Sequence, residues 1–160
     1  MFKNLICSVY EYIAAYHTVR NNHVRTVKWI QRAAYLGSAS SQNELGNHYA
    51  EGSGVKKDLL QSIKWYKLAA EQGFIYAQAN LGWAYYEGSG VSQSYEMALS
   101  WYTKAAENGH PESQYNLGLM YADALGTNRN INIATKWLNK AAENNIERAN
   151  DALQKLQLQT

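Results

Sequence analysis

An all-α solenoid, with helix–loop–helix hairpins stacked into a right-handed α/α superhelix, is the fold this sequence predicts. Three observations carry the prediction. Trp29, Trp65, Trp101 and Trp137 each stand 36 residues from the next. Between them, apolar and small residues recur at the spacing of one helix face. Residues suited to opening and closing helices return at the same phase. A fixed period of this size marks an array of supersecondary units, none able to bury its apolar face alone.

The register reaches beyond tryptophan. Leu45, Leu81, Leu117 and Leu153 are in phase, as are Gly46, Gly82 and Gly118, and Tyr49, Tyr85 and Tyr121. The pairs Ala33-Ala34, Ala69-Ala70, Ala105-Ala106 and Ala141-Ala142 follow, and so do Gly37, Gly73, Gly109 and Asn145. No gap is needed across four units.

Taken in order, one period before Leu45 and Tyr49 lie Val9 and Ile13, so residues 4–16 read as a divergent first helix. Residues 23–36 are its partner. From Ser38 to about Ala50, Ser41, Gln42, Leu45, Gly46 and Tyr49 share one face. The loop from Glu51 to Val55 interrupts, and a second helix follows from Leu59 to about Gln72. It groups Leu59, Ser62, Trp65, Tyr66, Ala69 and Ala70, with Lys64, Lys67 and Glu71 on the solvated side. Residues 74–109 and 110–145 repeat this unit. Ile146 to Gln157 supplies one more helix, with Ala149, Leu153 and Leu156 facing inward and Glu147, Asp151, Gln154 and Lys155 outward. The expected organisation is one domain over 1–160: a divergent unit 1–37, full repeats 38–73, 74–109 and 110–145, and a capping helix 146–160.

Helix boundaries repeat as well. Asn22, Asp58, Ser94 and Asn130 open the second helices with side chains that accept bonds from free backbone N–H groups. Gly37, Gly73, Gly109 and Asn145 close them with residue types that tolerate a left-handed cap. Pro111 suits a first helical turn. Gly46, Gly82 and Gly118, with the alanine pairs, leave gaps that the tryptophan and tyrosine rings of adjacent helices are expected to fill.

Composition sets limits on function. Apolar residues make up 46%, charged residues 18%, and the formal charge is +2. That balance is globular, without the basic excess of a nucleic-acid binder or the polarity of a disordered tail. Lysines are scattered over second-helix faces, which also argues against nucleic acid. The lone Cys7 excludes an intrachain disulfide and reads as a small buried apolar side chain. No stretch reaches the roughly 20 apolar residues of a membrane helix. A cytoplasmic protein without membrane insertion is expected; an exported form after signal removal is also compatible.

Chemistry is sparse. The Gly-Ser-Gly loops lack the Gly-Lys-Ser/Thr and preceding strand of a phosphate loop. Ser53-Gly54-Val55-Lys56 has the Ser-x-x-Lys spacing of penicillin-recognising hydrolases, but within a loop and without the partner motifs. His17, His23, His48 and His110 lack metal-ligand spacing. Acidic residues stand singly, with no acid–base pair. No catalytic residue, cofactor or metal is expected.

Residues 74–109 read Ala77-Gln78, Asn80-Leu81-Gly82, Tyr85, Glu87-Gly88-Ser89-Gly90-Val91. They continue with Ala98-Leu99-Ser100-Trp101-Tyr102, Lys104-Ala105-Ala106-Glu107 and Gly109. This pattern closely resembles the Sel-one-like repeat (SLR), a relative of the tetratricopeptide repeat, over roughly residues 22–150. The resemblance implies a superhelix whose first helices line a concave groove, in a family of protein-binding adaptors whose bacterial members often act at host or envelope interfaces. Two departures stand out. Ala124 replaces a loop glycine, so that turn should differ. The cysteine pair that some exported members carry in each unit is missing, which favours a reducing compartment.

If the small and apolar positions of each first helix face the core, the groove positions are 40, 43, 44, 47, 50 and 51, repeated every 36. The candidate contacts are Asn43, Asn47, Tyr76, Asn80, Trp83, Tyr86, Tyr115, Asn116 and Leu119. Trp83 is the one tryptophan outside the register, and exposed aromatics clustered in this way anchor partners. The opposing reading has the superhelix curl enough to bury these rings. The first functional expectation is a non-catalytic adaptor binding a protein or peptide in the groove. The alternative is an immunity or inhibitor protein against a bacterial toxin, and a third is a carbohydrate platform or enzyme. Terminal repeats that stack readily offer a route to homo-oligomers.

Overall fold

The computed structural model describes residues 2–20 and 22–158. Its regular structure is helical throughout these residues: α1 (Phe2–Val19), α2 (His23–Tyr35), α3 (Ala39–Glu51), α4 (Leu59–Glu71), α5 (Ile75–Glu87), α6 (Tyr95–Glu107), α7 (Pro111–Ala122), α8 (Ile131–Glu143) and α9 (Arg148–Gln157). The chain divides into two compact units, residues 1–77 and 78–160, with α5 running across the division.

The boundaries follow local chemistry. Asn22, Asp58, Ser94 and Asn130 each accept a bond from the backbone N–H three residues on, at 3.0–3.2 Å. These bonds satisfy donors that a helix start leaves orphaned. At the far ends, Asn145 adopts φ 66°, matching the left-handed Gly37, Gly73 and Gly109.

The third loop shares the left-handed turn of the others but begins one residue sooner. Ala124 sits at φ 58°, where Gly52 and Gly88 have φ 80° and 73°. A Cβ in this region clashes with the following carbonyl, at a cost of about 1–2 kcal/mol. Helix α7 correspondingly stops at Ala122, one residue before the equivalent ends of α3 and α5. Ala124→Gly is therefore expected to raise stability by about 0.5–1 kcal/mol, the relief of strain less the extra freedom of an unfolded glycine. A thermal midpoint that stays put or falls would contradict this.

Packing corrects one expectation. The side chain that fills each glycine gap directly follows the tryptophan. A Cβ on Gly46 would lie 2.5 Å from the Tyr66 ring, one on Gly82 2.5 Å from Tyr102, and one on Gly118 2.7 Å from Leu138. The tryptophan, about 100° round the helix from that side chain, lies toward the outer seam. Trp65 is buried and meets Tyr35 edge-on at 5.2 Å. Trp29, Trp101 and Trp137 are half-buried. Each of these three lies under a cation one turn on: Arg32 at 4.2 Å, Lys104 at 4.2 Å and Lys140 at 4.7 Å from the ring. A cation over an indole face is favourable where the ring borders water.

In the first unit Ala14, Val27, Ile30, Ala34, Leu45 and Trp65 form the core. The second unit has one cluster around Ala98, Tyr102, Leu117 and Met120, and another around Ala134, Leu138, Ala149 and Leu156. A buried glutamine serves each unit. Gln42 Nε2 donates to the Ala34 carbonyl at 3.1 Å while its oxygen accepts from Gln72 at 2.7 Å. Gln114 does the same for Ala106 at 3.2 Å and Asn144 at 3.0 Å. Each amide adds a second bond to a helix-end carbonyl that already accepts from the Gly37 N–H (2.9 Å) or the Gly109 N–H (3.0 Å).

Helix α1 departs most from the repeat. It is longer than residues 4–16, and Val9, in phase with the fully buried Leu45, is 48% exposed. Cys7 and Ala14 face inward instead. What orients α1 is Glu11, whose Oε1 accepts from the hydroxyls of Ser38 at 2.5 Å, Ser40 at 2.9 Å and Ser41 at 2.8 Å. Ser38 caps α3, so the carboxylate sits at the positive end of that helix. Burial raises the Glu11 pKa, but the three hydroxyls outweigh it and hold the group below its ordinary 4.5. A carboxyl depressed on folding adds stability above its unfolded pKa and loses it as pH falls through the folded value. The wild type should therefore lose stability as pH drops below about 4.5, and Glu11→Gln should flatten that part of the profile. Equal acid sensitivity in the two proteins would remove Glu11 from this role.

Candidate functional site

In the first unit, Asn43 and Asn47 lie half-buried on α3, and Asn47 Oδ1 accepts the Tyr66 hydroxyl at 2.7 Å. The tyrosine that fills the Gly46 gap thus reaches through to the outer face. Tyr76 is 60% exposed, with its ring 5.7 Å from that of Phe74.

The second unit brings together more of the expected residues. Trp83, 52% exposed, borders a notch of about 150 Å3 with Tyr86, Asn116 and Leu119. Asn80 is half-buried on the same helix. Tyr86 packs edge-on to Tyr95 at 5.3 Å, and its backbone carbonyl accepts from Gln93 at 2.7 Å. The Asn116 side chain is hydrogen-bonded to the Tyr102 hydroxyl. Burial foremost pushes the Tyr102 phenol well up, against the pull of that bond. Burial also raises Tyr86, followed by the charges and hydroxyls of Tyr95, Glu87 and Asp123. Both phenols are therefore protonated at neutral pH and can donate.

Leu119 joins this notch to a second cleft of about 440 Å3 between α7 and α9. Tyr115 lines its wall, half-buried beneath the Arg148 guanidinium, 4.5 Å from the ring centroid. Arg148 also pairs with Glu112.

The sequence reading missed the contribution of α9. Arg148, Asp151, Ala152 and Lys155 line the second cleft, and they lie three periods after positions 40, 43, 44 and 47. The same 36-residue rule that gives the groove residues gives these four, of which the capping-helix reading names only Asp151 and Lys155, as outward residues. Tyr102, Met120 and Leu125 also line the first notch. Of these, Tyr102 comes from a second helix and reaches the notch only because Gly82 lets its ring pass.

Acidic side chains recur at one groove position, as Glu51, Glu87 and Asp123, all exposed. Among the described residues no group of three or more His, Cys, Asp or Glu is placed to hold a metal ion. No helix among them is long and apolar enough to cross a membrane.

The Sel1 repeat family model matches residues 16–38, 39–74, 75–110 and 111–146. This chain belongs to the Sel1 repeat family. Sel1 repeats are in general protein-interaction scaffolds without catalysis of their own. The first match begins at Tyr16, so most of α1 lies outside the repeats. Among solved structures, the chain is similar to a protective antigen of uropathogenic Escherichia coli strains that displays an SLR fold. Identity is 38% and TM-score 0.88, over 92% of this chain and 32% of that one. A Sel1 repeat protein from Oxalobacter formigenes matches at 30% identity and TM-score 0.86, over 93% of this chain and 62% of that one. The chain thus spans about a third of the first and under two-thirds of the second. No curated protein sequence matches significantly.

Proposed function

We propose that this Sel1 repeat chain is an adaptor that binds an extended, basic peptide segment of another protein on the outer faces of its first helices. The observation that carries this reading is Trp83, an indole half in water at the rim of an apolar notch. A large exposed ring beside a pocket is the usual form of an interface anchor. Tyr86 and Leu119 supply further apolar surface, and Asn80 and Asn116 offer amides for a peptide backbone. Glu87 and Asp123 favour Lys or Arg beside the anchored side chain, with charge matching serving specificity and association rate. Tyr115 would extend the contact within the second unit. An inhibitor of a single enzyme could use the same face, but the repeated acidic position suits a linear basic segment better. Self-association through a terminal repeat is a separate reading, carried by α1.

Selection from a displayed random-peptide library on the immobilised protein tests the proposal. Enriched peptides should combine an apolar side chain with neighbouring Lys or Arg. Their binding should weaken in Glu87→Gln/Asp123→Asn protein and in high salt. No enrichment, or enrichment of acidic peptides, would overturn it.

A further inference from the structure

The outer face of α1 carries an apolar stripe that the repeat array does not use. Phe2, Leu5, Val9, Tyr12, Tyr16 and Val19 alternate at spacings of three and four over five turns, and each is 48–86% exposed. This is the spacing of a coiled-coil seam. Few charges border it. Lys3 is exposed, Arg20 stacks on the Tyr16 ring at 4.4 Å, and Glu11 is turned away onto the α3 serines. The face of α9 at the other end of the chain is polar, with Glu147, Asn150, Asp151 and Gln154 exposed. The six α1 side chains expose on the order of 800 Å2, the amount one partner contributes to a stable interface, where isolated monomers show a few hundred.

We infer that this stripe is a homodimer interface in which α1 packs antiparallel against α1 of a second copy about a two-fold axis. The pattern of sizes selects this occupant. With the axis between Val9 and Tyr12, Phe2 meets Val19 of the second copy, Leu5 meets Tyr16, and Val9 meets Tyr12. Each aromatic ring then faces an aliphatic side chain, and the same three pairs recur on both sides of the axis, as an isologous interface requires. A parallel pairing would set Tyr12 on Tyr12 and Val9 on Val9, crowding some layers and leaving others thin. Antiparallel pairing also aligns the helix dipoles favourably, and no like charges meet along the seam. Glu11 gains a purpose here: by bonding Ser38, Ser40 and Ser41 it fixes the helix rotation that turns Val9 outward.

Light scattering on the purified protein across micromolar to submillimolar concentration tests this. The wild type should be a dimer, while Val9→Asp and Tyr12→Asp should be monomers with unchanged helical circular dichroism. For the register, Leu5→Cys and Tyr16→Cys proteins in a Cys7→Ser background should crosslink on mixing. Leu5→Cys alone should not, because two copies of residue 5 would stand about 16 Å apart along the helices, beyond disulfide reach. A monomeric wild type overturns the proposal, as it would if a further helix of a longer chain, or a lipid surface, covered the stripe. So does a dimer that survives both aspartate substitutions, or crosslinking of Leu5→Cys with itself. Trp83→Ala should leave the dimer intact, which keeps this test separate from that of the peptide-binding face.

Discussion

Tyr102→Ala is expected to destabilise the protein by about 3–5 kcal/mol, the usual range for truncating a fully packed aromatic ring. For a chain of this size that lowers the thermal midpoint by about 10 °C. The ring is 3% exposed, lies against Gly82 and is hydrogen-bonded to Asn116, so truncation opens a cavity and removes a partner of the half-buried Asn116 amide. Gly82→Ala approaches the same contact from the other helix. Alanine gains about 1 kcal/mol of helix propensity, but its Cβ would stand 2.5 Å from the ring. Overpacking of that kind costs about 1–3 kcal/mol, so the single substitution should be destabilising. In the Tyr102→Ala background the clash is gone, and the same Gly82→Ala change should stabilise. That reversal of sign, read from denaturant unfolding of the four proteins, is the decisive result. An equal effect of Gly82→Ala in both backgrounds would show that the ring is not what holds position 82 to glycine.

Trp83→Ala should have the opposite profile. The indole is 52% exposed and lies outside the buried clusters, so its loss should change stability by no more than about 0.5 kcal/mol. Binding of a selected peptide should weaken by 2 kcal/mol or more, about thirty-fold in Kd, as for an anchor residue at an interface. Titration calorimetry and thermal unfolding of the same preparation check both halves. Unchanged affinity would remove the indole from the binding face. A large fall in thermal midpoint would instead make Trp83 a structural residue.

Much of this architecture was legible before any coordinates. A hairpin's helices are opened by Asn22, Asp58, Ser94 and Asn130 through bonds spanning three residues, so local sequence suffices to place those ends. The face carrying Leu45, Leu81 and Leu117 is set by helix geometry and by burial that every copy shares. The candidate surface was legible in part. Trp83, Tyr86, Asn116 and Leu119 follow from being opposite that face, and the structure gathers all four around one notch. The α9 residues were available to the same rule but were assigned to a cap, because a polar face reads alike whether it borders solvent or a cleft.

Periodicity by itself determined the number and phase of the hairpins, their caps, and the family to which they belong, because each of these depends on contacts within a repeat or between identical neighbours. Only the tertiary structure decided that Tyr66 and Tyr102, not the tryptophans, enter the glycine gaps, since a turn of about 100° between adjacent residues cannot be apportioned to a partner helix from sequence. It alone decided that α1 turns Val9 to water. That rotation is set by a carboxylate reaching across 27 to 30 residues to three serines, a long-range bond that no repeat copies and no local pattern announces.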